Sequence, residues 1–110
     1  MIKKILAATD GSRISTKAVR YAIGLARQTG ALITLLGVVD FYQLVAQGAP
    51  PSMKPSAGSA RMIMETRDLL KRATAAYLDA AAAECGKKGV QVRQVIRTGH
   101  PVEEIVKEAR

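Results

Sequence analysis

Asp10 is the residue whose type and position together suggest chemistry. It follows the apolar run Ile5–Ala8 and precedes Gly11 and Ser12, where a strand would break into a helix. A carboxylate there can accept two hydroxyl hydrogen bonds at once, which suits the diol of a ribose. In open α/β sheets, ligands bind outside the carboxyl ends of the strands, where such a group would stand. The same carboxylate can equally shape the turn and favour the positive end of the next helix. The residues alone leave both roles open.

The other reactive residues narrow the chemistry by what they lack. One cysteine, Cys85, and one histidine, His100, cannot by themselves build a zinc site, so no metal is expected. A serine hydrolase would need His100 beside a nucleophile, and no GxSxG elbow occurs. No GxxxxGK followed by Ser or Thr occurs, and the turn after the first apolar run carries a single glycine rather than GxGxxG. His100 is expected to cap a helix beside Pro101, and Cys85, in an Ala-rich stretch, to be an inert small core residue. No catalytic residue is assigned, and the chain is not expected to be an enzyme.

The elements that must position Asp10 follow from hydrophobic pattern. Residues 2–9 read as a strand, and their near-continuous apolar centre implies burial on both faces, as in a parallel sheet. Ser12 is a good N-cap for a helix carrying Ile14, Ala18, Tyr21, Ala22 and Leu25 on its apolar face, with Gly30 placed to end it. Residues 31–39 form a second buried strand. A Pro- and Gly-rich segment over 40–59 reads as a mobile loop, with a short helix around Phe41–Gln47. A long helix is expected over 60–87, facing inward through Ile63, Leu70, Tyr77 and Glu84 with Ala73 and Ala81, and with Met62 and Met64 as adaptable core. Residues 90–97 alternate as an outer strand, and Pro101 opens a third helix with Val102, Ile105, Val106 and Ala109 as its apolar stripe. The order β-α-β-α-β-α predicts one α/β domain over 1–110 with an open parallel sheet and flanking helices.

Composition sets the surroundings. Apolar residues at 48% against 24% charged suit a globular chain, and aromatics at 4% leave an aliphatic core. A single cysteine excludes an intrachain disulfide and fits a reducing, cytoplasmic setting. Apolar runs are too short for a membrane span. The formal charge of +8 includes an ordered stripe, Arg13, Lys17, Arg20 and Arg27. With so few aromatics for stacking, that stripe reads as a solvated helix face, and no nucleic-acid partner is expected.

The stretch Ile5–Ser12 (ILAATDGS), then Ser15, Ala18, Ala22 and Ala26, then Gly30–Asp40 (GALITLLGVVD), resembles the opening of the universal stress protein family. Gly99–Ile105 (GHPVEEI) resembles that family's turn into its third helix. The likeness runs along essentially the whole chain, with the Pro-rich segment as its variable part. It implies an adenine-nucleotide-hydrolase-like fold, a five-stranded parallel sheet in the order 3-2-1-4-5, often dimeric through the last strand. It further implies a stress-response regulatory protein whose crevice holds ATP. Asp10 would lie near the ribose, the backbone at Val38 would hold the adenine, and Ala8 and Thr9 would line the same crevice.

Two departures accompany the resemblance. Gly37 stands where many members have histidine, which is expected to affect local packing more than binding. Nucleotide-binding members carry a phosphate loop, G-x2-G-x9-G followed by Ser or Thr, after a fourth strand; residue 110 falls before that point, so ATP binding is expected to be impaired in the 110 residues. Strand one would sit between strands two and four, so Ile5–Ala8 expects a pairing partner on each side. A homodimer or strand-pairing oligomer is therefore expected. The alternative function is a dimeric interaction module of the same fold that binds no nucleotide.

Overall fold

Among the described residues, β2 (Leu32–Asp40) is the centre of a three-stranded parallel sheet, flanked by β1 (Lys4–Ala8) and β3 (Val92–Gly99). The computed structural model describes residues 2–40 and 57–110. The expected mobile loop and the short helix at Phe41–Gln47 fall, from 41 to 56, outside the described residues; Asp40 closes β2 and Ala57 opens the next helix. Lys4 registers with Leu32 and Ala8 with Leu36, while Ile33 registers with Val92 and Asp40 with Gly99. The three strands stand in the relative order that the resemblance implies. Burial of β2 on both faces accounts for its unbroken apolar run: Ile33, Leu35, Leu36 and Val39 are all buried.

α1 (Arg13–Thr29) starts at Ser12, whose Oγ accepts from the Ser15 N–H at 3.2 Å, and ends at Gly30, in the left-handed conformation with φ 73°. Its buried stripe is Val19, Ala22, Ile23 and Ala26. This corrects the expected face: only Ala22 is common to both, and Ile14, Ala18 and Tyr21 point to water. Two apolar stripes lie side by side on this helix, and the sheet selects the one with the smaller residues. The basic stripe Arg13, Lys17, Arg20 and Arg27 is solvated, as expected.

α2 (Ala57–Lys87) packs over β2 and β3 through Thr74, Leu78 and Cys85, with Ile63, Leu70, Tyr77 and Ala81 half-buried beside them. Ala73 and Glu84 are exposed, and so are Met62 and Met64, against expectation. A seven-residue step drifts around a 3.6-residue helix, so the inward line moves from Ile63 to Cys85 rather than to Glu84. Gly37 allows close approach here: a Cβ on it would collide with Thr74 Cγ2 and come 3.2 Å from Leu78 Cδ1.

α3 (Pro101–Ala109) covers the opposite face, crossing β1, β2 and β3. Of the expected stripe, Ile105 is half-buried, whereas Val102, Val106 and Ala109 are exposed. Glu104 and Glu108 turn inward instead. Arg97 Nη2 donates to Glu108 Oε2 at 2.7 Å, and Arg93 lies 3.6 Å from Glu108 Oε1, so β3 holds the helix by charge. Among the described residues β3 is an outer strand, as its alternation predicted.

Candidate functional site

The turn Asp10–Gly11–Ser12 is built by its own side chains. Asp10 Oδ1 accepts the Ser12 N–H at 2.9 Å, closing the turn just ahead of α1. Gly11 has φ 81°, a conformation that favours glycine. Hydrogen bonding from Ser12, by side chain and backbone, and from the Ser15 side chain holds the Asp10 carboxyl below its ordinary pKa. Asp10 is therefore an exposed, ionised carboxylate in a fixed turn.

Ala8, Thr9, Asp10 and Val38 all line one crevice of about 430 Å³ at the carboxyl ends of β1 and β2. Its floor is Ala8, Leu36 and Val38, on the sheet face away from Leu35 and Gly37. Side-chain alternation along parallel strands in register puts these three on the α3 side, and Pro101 and Ile105 of α3 form the far wall. Asp40 and Ser15 complete the rim. The four residues expected from sequence thus share one cavity.

Thr9 is committed to structure. Its N–H donates to Leu36 O at 2.9 Å, its Oγ1 donates to Ser15 Oγ at 3.0 Å, and the same oxygen accepts from the Gly11 N–H at 3.3 Å. Its part in the crevice is to anchor the turn that carries Asp10. Ser15, Asp40, Pro101 and Ile105 were not among the expected site residues. Ser15 was signalled by its place one turn after Ser12; the α3 wall had no local signal, because a distant part of the chain supplies it.

His100 occupies the N-cap position of α3, but its side chain makes no capping hydrogen bond. Its backbone O accepts the Glu104 N–H at 3.0 Å, the first bond of the helix itself. Cys85 is fully buried, and burial raises its thiol pKa, which matches an inert core thiol. The spacing G-x2-G-x9-G does occur at Gly86, Gly89 and Gly99, with His100 where Ser or Thr would follow. Gly86 and Gly89 lie just before β3 and Gly99 at its far end, so these glycines form no common cradle. Among the described residues, no group of three or more His, Cys, Asp or Glu side chains could hold a metal ion. No described helix is long and apolar enough to cross a membrane.

A sequence model of the "Universal stress protein family" matches residues 1–110. The universal stress protein YxiE of Bacillus subtilis (strain 168) is 30% identical over 115 residues, spanning 100% of this chain and 72% of that protein. Among solved structures, hypothetical protein MJ0577, the subject of a structure-based assignment of biochemical function, aligns with a TM-score of 0.81 at 25% identity, over 99% of this chain and 67% of that one. A universal stress protein solved in complex with cAMP aligns with a TM-score of 0.61 at 21% identity, over 97% and 70% of the two chains.

Proposed function

The chain belongs to the universal stress protein family, and on that premise we propose that its crevice holds the nucleoside half of an adenine nucleotide. The observation that supports this most is that the Asp10 carboxylate and the end of β2 at Val38 line one cavity. A ribose hydroxyl would donate to Asp10, and the adenine would lie over Ala8, Leu36 and Val38 with its polar edge toward the β2 backbone. Pro101 and Ile105 would close the apolar side. The cAMP complex of a structural relative supports a nucleotide of this class. cAMP and ATP share adenine and a free ribose 2′-hydroxyl, which is what this crevice would read.

The role is regulatory: a cytoplasmic stress-response protein that senses a nucleotide and catalyses nothing. ATP is the natural full ligand, with its phosphates held by groups other than these crevice residues. For the 110 residues, binding is expected to be weak, with a Kd on the order of 1 mM. Calorimetric titration with adenosine, 2′-deoxyadenosine, cAMP and ATP tests this. Adenosine, cAMP and ATP should bind alike, and 2′-deoxyadenosine more weakly. Micromolar ATP affinity would show that phosphates are held within these residues; no heat with any of the four would remove the nucleotide reading and leave the interaction module.

A further inference from the structure

α1 and α2 lie side by side on one face of the sheet, yet they meet each other less closely than either meets the strands. The residues between them explain the gap. On α2 the facing side chains Ala80 and Ala81 are short, and opposite them stand Thr16, Val19, Arg20 and Ile23 of α1. A groove of about 300 Å³ is left, running from Gly11 and Tyr77 to Glu84. Val19, Ile23, Tyr77, Ala80 and Ala81 give it an apolar lining. It lies across the sheet from the crevice that α3 walls, and on the α2 side of α1 rather than the β1 flank.

Positive charge stands along this groove. Gly11, Thr16 and Arg20 line both the groove and an adjoining depression whose other walls are Arg13 and Lys17. Toward the far end, Arg20, Arg27 and Lys88 share a second depression with Glu84, the one acid there. None of these charged side chains makes an ion pair among the described residues. The cations therefore outnumber the single carboxylate, and their summed field favours an anion. Arg20 is the hinge of the arrangement, because it lines the apolar groove and both charged depressions.

We propose that the groove binds a single-chain carboxylate of the medium-chain fatty-acid class. Its head would sit among Arg13, Lys17 and Arg20, and its tail would lie between α1 and α2. A guanidinium offers paired donors that match a carboxylate, and each bond to the ionised group is stronger than a neutral one. The tail would cover apolar side chains that the two helices do not cover for each other. The volume stands at the lower end of small-molecule sites, ~300–1,000 Å³, so the groove takes one chain and not a two-chain lipid. The crevice offers such a ligand no substitute, because Asp10 and Asp40 on its rim repel a carboxylate.

Calorimetric titration with decanoate, kept below its micelle concentration, tests this beside decanol and decylammonium. Decanoate should bind, and decylammonium should bind about tenfold more weakly. From hexanoate through octanoate to decanoate, affinity should rise about fourfold for each CH₂ that the groove takes in. Lys17→Gln with Arg20→Gln, both at exposed positions, should weaken decanoate about tenfold and leave decanol unchanged. Ala80→Leu, which fills the groove from an exposed position, should weaken both ligands, with circular dichroism unchanged in every variant. Amide shifts should move at Gly11, Thr16 and Ala81 and stay in place at Val38 and Ile105. No decanoate heat at ~1 mM overturns the proposal. So do equal binding of decanoate and decylammonium, variants without effect, or shifts confined to the crevice. Binding to phosphatidylglycerol vesicles with none to dispersed decanoate also overturns it, and makes the basic stripe a membrane-facing surface.

Discussion

Gly11 lies against the ring of Tyr77: a Cβ on Gly11 would come 2.9 Å from Tyr77 Cδ1, at a backbone φ of 81°. The turn that carries Asp10 is therefore seated on α2 as well as on its own hydrogen bonds. The ring is held in turn, since Tyr77 OH donates to Thr74 Oγ1 at 3.3 Å and Thr74 Oγ1 donates to Leu70 O at 2.7 Å. Gly11→Ala meets backbone strain and the ring together. Denaturant unfolding should show a loss of about 1–3 kcal/mol, and Gly11→Ala should cost less in a Tyr77→Ala background than in the unaltered chain. A neutral Gly11→Ala would mean that the turn moves freely away from α2.

Gly37 sets how closely α2 approaches β2. Ala at this position must push Thr74 or Leu78 away, at a cost of about 1–3 kcal/mol. Histidine should cost more than alanine, because it adds more atoms to the same contact. Pairing Gly37→Ala with Thr74→Ala should be less damaging than the two single losses added, because the second change makes room for the first. Additive losses would remove the close contact as the cause.

Asp10 is expected to titrate below the ordinary aspartate value of about 3.9. Its lowered native pKa means that the folded state binds this proton more weakly than the unfolded chain does. Its stabilising contribution is therefore present above the unfolded value and is lost as pH falls through the native one. Asp10→Asn should lose stability at neutral pH and match the unaltered chain near the acid end. The effect is small, because the group is exposed to water. Carboxyl chemical shifts measure the midpoint directly, and Ser12→Ala should raise it.

Cys85 is fully buried with a thiol pKa raised by burial. A thiol reagent at pH 8 should leave it unmodified in the folded chain and react once denaturant opens the core. Prompt reaction without denaturant would place α2 off the sheet for much of the time.

Where local chemistry decides, the sequence was readable. Ser12, Gly30 and Pro101 mark helix ends through bonds within a few residues, and all three stand where their types placed them. The unbroken apolar run of β2 announced a central strand, and the break at Asp10 announced the crevice. Helix faces were harder, because rotation about the axis is set by what the sheet offers. Glu108 turns inward on α3 because Arg93 and Arg97 wait on β3, a match between residues on different elements. The α3 wall of the crevice was hidden for the same reason.

The two apolar stripes of α1 give the sharpest test of that rotation. Ile23 belongs to the buried stripe and packs with Val19, Ala22 and Ala26 in the core. Ile14 is 82% exposed on the other stripe. Both are isoleucines in one helix, so helix propensity cancels between them and burial alone separates the outcomes. Ile23→Ala removes buried methyls and leaves a cavity, so unfolding should lose about 2–5 kcal/mol. Ile14→Ala should stay within ~0.5 kcal/mol. Equal losses from the two changes would mean that α1 is rotated from the position described, bringing the Ile14, Ala18, Tyr21 and Leu25 stripe onto the sheet.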